Sequence, residues 1–266
     1  MNWALSPVGL KLMRTSQAAA FKVEGLSDPR IKGIQVECIG PSGVGKTTIV
    51  QLFRQRASYG WYFDYPSKTS LRTNISLENG CGDLYKSLLL KKMELIFAQD
   101  YSAEHSLALI GFYNTRLQQD LKLQRSGYMS DGGTWWDDGI FRVFCDELYE
   151  QLQKDSDLFN LFQNRVVINC MAPSEIIADR LAQRSRKSSG AKNDWYAVCG
   201  PDGIHERIEV GLERAQRFLG LWHRLGGESY SIDLSQAGAA VRELLNIEGR
   251  IVSARTSRRK ANSPHF

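Results

Sequence analysis

The chain has 266 residues, of which 42% are hydrophobic and 24% charged, with a net charge of +5. That balance describes a globular protein with one principal core and excludes a disordered or fibrous chain. No apolar run reaches the ~20 residues of a membrane span, and the cysteines, at 38, 81, 145, 170 and 199, form neither a C-x-x-C pair nor a disulfide framework, so the compartment reads as cytoplasmic.

In chain order, residues 1–33 carry Lys11, Arg14 and Lys22 with no acid before Glu24 and read as a loosely ordered leader. A first strand is predicted over 34–39, Ile-Gln-Val-Glu-Cys-Ile. Gly40, Pro41, Ser42, Gly43, Val44, Gly45, Lys46 and Thr47 then match the phosphate-cradling loop in full. The glycines let the backbone turn its N–H groups toward phosphate oxygens, and the following helix adds the positive end of its dipole. Lys46 supplies a charge for the outer phosphates, and Thr47 a hydroxyl for Mg²⁺, with Thr48 beside it on the phosphate side. The chain is therefore expected to bind ATP.

A second strand is predicted near 60–64 and ends in Phe63-Asp64-Tyr65-Pro66. Asp64 is a candidate base for the acceptor's proton, with Lys68 or Arg72 holding an anionic acceptor; the alternative is a carboxylate that caps its own proline turn. Residues 84–124 hold helical periodicity through Leu88, Leu89, Ile96, Leu107, Leu117 and Leu121 and predict two or three helices forming an acceptor-side lobe. A third strand is predicted over 127–131, so that Asp131 stands at its C-terminal end as the preferred acid for Mg²⁺ or catalysis. Asp137 and Asp138 follow as secondary candidates in what reads as an acidic turn anchored by Trp135 and Trp136.

The fourth strand, 165–171, is the clearest, and a helix begins just past Pro173. Arg180 and Arg184 share a face of that helix, and with Arg186 and Lys187 they run into a polar stretch. A flexible lid over 184–203 is expected, whose arginines meet the phosphates and whose closure excludes water. A helix through Ile204, Ile208, Leu212, Ala215, Leu219 and Trp222 ends at Gly226-Gly227; a strand at 229–234 and a helix around Val241 and Leu244 follow. The principal domain thus runs from 34 to 250, and 251–266 reads as a basic, disordered tail, which does not by itself call for nucleic acid.

Strands alternating with helices predict an α/β, three-layer fold with a five-stranded parallel sheet covered on both faces. The phosphate loop, Asp131, Pro173, Arg180-x-x-x-Arg184 and the basic stretch after it resemble P-loop kinases of the nucleoside and thymidylate kinase-like group. The resemblance implies a P-loop NTPase sheet, ATP as donor, Mg²⁺, and transfer of the terminal phosphoryl group to a small acceptor. It also implies that Lys46 and Thr47 bind phosphate and metal and that Arg184 and Arg186 belong to the lid. Where those kinases carry Asp-Arg, this chain has Asp131-Gly132, and Tyr65 separates Asp64 from Pro66; the acceptor stays open, as does a homodimeric assembly. The competing reading is a nucleotide-dependent ATPase switch acting on a protein partner. No N-K-x-D sequence reads guanine, and no apolar strand ends in the acid pair that would polarise water, which favours transfer over hydrolysis.

Overall fold

The computed structural model describes residues 33–63, 81–125, 133–187 and 195–262. The strands are β1 (Gln35–Ile39), β2 (Trp61–Tyr62), β3 (Gly133–Trp136), β4 (Arg165–Met171) and β5 (Glu228–Asp233), all parallel in the order β2-β3-β1-β4-β5. Every residue of β1 and β3 is buried, as a central parallel strand covered on both faces requires.

Alternate residues point to opposite faces. Val36, Cys38, Val166, Ile168 and Cys170 join one core cluster with α1 (Lys46–Arg54), α6 (Ser174–Lys187) and α8 (Ala237–Asn262). Ile39 and Val167 join the other, with α2 (Cys81–Phe97), α3 (Ala103–Arg125), α4 (Ile140–Val143), α5 (Cys145–Lys154) and the distal half of α7 (Trp195–Arg224). The expected lobe is thus a pair of helices, α2 and α3, on the second face. At the end of α7, Gly226 has φ of 87° and the Gly227 N–H donates to Trp222 O at 2.8 Å, which closes the helix.

Two expectations need correction. The third strand is Gly133–Trp136, not 127–131, which lies outside the described residues. Gln35 pairs with Thr134 and Val36 with Trp135, the Thr134 N–H donates to Ile34 O at 2.8 Å, and the Trp135 ring packs 4.3 Å from that of Phe53. Asp131 therefore precedes the strand, and its C-terminal end belongs to Asp137 and Asp138. Second, the segment expected as a disordered tail from 251 continues α8 to Asn262. Ile247, Ile251 and Val252 are almost fully buried and extend the apolar stripe past Val241 and Leu244.

The Glu248 carboxylate, on the same helix, accepts from the Ser58 and Tyr59 N–H groups at 3.2 and 3.3 Å and from Trp61 Nε1 at 2.7 Å, which ties α8 to the short edge strand β2. Ile251→Ala is expected to destabilise the fold by about 2–5 kcal/mol through lost burial and a cavity. Urea unfolding checks this: a disordered tail would leave the midpoint where it was.

Candidate active site at the phosphate loop

Three positive-φ glycines shape the turn between β1 and α1: Gly40 at 124°, Gly43 at 84° and Gly45 at 112°. At Gly40 neighbouring main chain forbids a side chain as well, and at Gly43 a buried leucine would have to move to admit one. A Cβ on Gly40 would lie 2.4 Å from the main-chain oxygen of Cys170 in β4, and one on Gly43 would lie 2.6 Å from Leu181 Cγ in α6. The loop is pressed against the adjacent strand and helix, so its shape is fixed from outside as well as by its own dihedrals.

Lys46, the first residue of α1, is 7% exposed. Its Nζ donates to Gly40 O at 2.9 Å and Pro41 O at 2.8 Å. Burial, with the nearby positive charge of Arg142 added, lowers its ammonium from 10.5 to about 8. The side chain thus bridges its own loop, and its charge carries a desolvation cost that a polyphosphate would relieve. Thr47 and Thr48 are exposed at the start of the helix.

The acids past β3 stand beside this loop. Asp138 forms an ion pair with Arg142 on α4 and lies 3.8 Å from Arg116 Nη2 on α3. From the opposite flank, Arg180 on α6 donates through Nη1 to Val44 O at 2.6 Å and through Nη2 to Leu234 O at 2.7 Å. Both terminal nitrogens are engaged by main-chain carbonyls, so Arg180 braces the loop to the end of β5 while its side chain lines the cavity. Arg184 is exposed and lines the same cavity, whereas Arg186 is exposed but not part of its wall.

The cavity has a volume of about 720 Å³ and is lined by Ser42, Gly43 and residues 45–49, the acids Asp137 and Asp138, and the arginines Arg116, Arg142, Arg180 and Arg184. It opens at the C-terminal rim of the sheet, where parallel α/β folds place their ligands. Asp64, Asp131 and the stretch between Lys187 and Trp195 lie outside the described residues. Arg116 and Arg142 are site residues that the sequence reading misses. For Arg142 a signal existed in its spacing of four from Asp138; Arg116 sits on a long polar-faced helix and gives none.

Directly beneath the acids lies a buried charged cluster. The Glu37 carboxylate on β1 accepts from the Arg142 N–H at 3.0 Å, and also from the Phe141 N–H, and pairs with Arg165 Nη1 at 3.1 Å. The other guanidinium nitrogen of Arg165 is 2.6 Å from both oxygens of Asp120 on α3, and Asp120 accepts in turn from the Tyr85 hydroxyl on α2. Burial raises Glu37 from 4.5 to about 7; Arg165 opposes that rise and the Asp120 charge reinforces it. Burial, the largest single influence, would lower the Arg165 value, but Asp120, Tyr85 and Glu37 together outweigh it and hold the guanidinium charged.

The phosphate loop after the first strand, a five-stranded all-parallel sheet and helices on both faces define a P-loop NTPase α/β fold, the fold that the sequence resemblance implies. No family model and no curated protein matches the chain. Among solved structures it is similar to the deoxyadenosine kinase from M. mycoides with bound dCTP, at 13% identity and a TM-score of 0.42, over 82% of this chain and 100% of that one. It is also similar to a gluconokinase from Sinorhizobium meliloti 1021, at 13% identity and a TM-score of 0.39, over 86% and 98%. At these values neither likeness says what this chain binds.

Gly40→Ala should cost about 1–3 kcal/mol for the backbone conformation alone, with the clash against Cys170 added; denaturant unfolding reads the loss. Glu37 yields a pH prediction. Its folded value of about 7 exceeds its ordinary 4.5, so between those pH values the folded state holds a proton that the unfolded state has released. Its contribution is therefore largest at low pH and is lost as pH rises through about 7. The urea midpoint of the wild type relative to Glu37→Gln should fall between about pH 5 and about pH 8; a constant difference would contradict the shift.

Proposed function

We propose that the chain is an ATP-dependent kinase that passes the terminal phosphoryl group of ATP to a small-molecule acceptor. The observation that carries this reading is a cavity onto which the phosphate loop, two carboxylates from the end of β3 and arginines from both flanks converge. Phosphoryl transfer asks a protein for positioning and charge stabilisation rather than covalent chemistry, and these are the groups that provide them.

The loop N–H groups and Lys46 hold the outer phosphates. Among the described residues no three His, Cys, Asp or Glu side chains cluster as a metal site. Mg²⁺ keeps several waters and is held by substrate phosphates with one or two protein oxygens. The Thr47 hydroxyl and Asp137, the first residue past β3, would supply those oxygens. Bound there, Mg²⁺ offsets charge on the phosphate oxygens. Asp138, paired with Arg142 and close to Arg116, orients two cations on the acceptor side, and Asp64 is the proposed base for the acceptor's proton. Arg184 reaches the transferring group from the β4 flank as part of the lid, while Arg180 keeps the loop in place.

Lys46→Ala should abolish the thermal stabilisation that ATP gives the wild type, and Arg184→Ala should lower turnover far more than nucleotide affinity. Incubation with labelled ATP and a metabolite pool tests the reaction: a labelled small product, lost in Lys46→Ala, is expected. Steady release of inorganic phosphate without dependence on an acceptor would replace the kinase with the ATPase switch.

A further inference from the structure

We propose that Glu37 is a positioning residue: fixed by the buried chain Tyr85–Asp120–Arg165, its carboxylate holds the segment from Asp137 to Arg142 in place against the phosphate loop. The role rests on the kinase reading of the cavity, because it is that reading which gives Asp137 and Arg142 something to do.

Glu37 is fully buried in the strand that runs straight into Gly40. Its partners lie on four other elements: Arg165 on β4, Asp120 on α3 and Tyr85 on α2 through the chain of bonds, and the Phe141 and Arg142 N–H groups on α4 directly. The approach is close. A Cβ on Gly139 would lie 2.3 Å from the Glu37 carboxyl carbon, so the acid-bearing turn rests on the carboxylate at a position where any side chain would displace it.

Arg165, 2% exposed, is held from its faces too, with its guanidinium 4.9 Å from the Phe141 ring centre and 5.2 Å from that of Phe162. Asp120 lies one helical turn beyond Arg116, which lines the cavity. The same cluster therefore sets both the acid turn and the acceptor-side helix relative to the strand that carries the phosphate loop.

Burying these charges is hard to justify by stability. The desolvation of a buried ionic triad commonly exceeds its Coulomb gain, and apolar replacements of similar volume are often neutral or stabilising. What apolar side chains cannot do is accept the N–H groups at the start of α4 or fix a carboxylate's distance from Gly139. The cluster defines a geometry.

The test is thermal unfolding of the full chain with ATP, first in EDTA and then titrated with Mg²⁺. Glu37→Gln is expected to keep the stabilisation that ATP gives in EDTA, because the loop glycines and Lys46 are untouched. It should need about 10-fold to 100-fold more Mg²⁺ to gain the rest, the loss typical when a residue that orients a metal ligand is changed. A charge-free variant, Tyr85→Phe, Glu37→Leu, Asp120→Leu and Arg165→Met, should unfold no earlier than Glu37→Gln and show the same Mg²⁺ deficit. An unchanged Mg²⁺ midpoint in either folded variant overturns the proposal, and so does a loss of the ATP effect in EDTA, which would make Glu37 a support of the loop itself. A wild type that ATP does not stabilise would sink the kinase reading and the positioning role with it.

Discussion

The site depends on how closely the exit of β1 passes the end of β4. The main chain at Gly40 runs so near the Cys170 carbonyl that a single added carbon would collide with it, and Gly43 meets Leu181 on the next helix in the same way. A phosphate loop is a set of N–H groups aimed at one point, and its affinity depends on their being aimed before the ligand arrives. Here the aim is enforced by the neighbouring strand and helix, and by Arg180, which joins Val44 to Leu234. The loop is packed into the sheet's rim and braced on it.

Electrostatics on that rim are arranged in opposition. Lys46 is buried against the carbonyls of Gly40 and Pro41 with its ammonium lowered to about 8, so its charge is poorly solvated before any anion binds. Around the cavity the cations Lys46, Arg116, Arg142, Arg180 and Arg184 outnumber the acids Asp137 and Asp138. A polyanion carrying a divalent cation would both relieve Lys46 and restore balance. Exposed surface pairs contribute little by comparison; it is burial that gives these groups their leverage.

How much of this is legible in the sequence follows from how local each feature is. The phosphate loop and β4 depend on contiguous residues, and both are read within a residue or so. β3 is misplaced because Gly133-Thr134-Trp135-Trp136 is a short run that opens on the second of two glycines, with no alternation to mark it; what makes it a strand is pairing with β1 and the packing of Trp135 on Phe53. That one shift moves the candidate acid from Asp131 to Asp137 and Asp138. The last helix is cut short because Arg255, Arg258, Arg259 and Lys260 draw attention from Ile251 and Val252. Arg116 and Glu37 are out of reach for another reason: their roles depend on partners on other elements, Asp138 for the one and Arg165 for the other.

Glu37 also shows why a charged residue in an apolar strand is informative in the bare sequence. An acid at the centre of a buried parallel strand cannot stay there without a donor set, since the cost of an unpaired buried charge is several kcal/mol. Such a residue therefore implies either a raised pKa or hydrogen-bond donors and a cation somewhere in the chain. The fold supplies them from β4 and from the turn that carries the acids, so the requirement of one side chain for solvation becomes a constraint on the position of several others. A Val or Ile at 37 would satisfy the strand and leave that turn unconstrained.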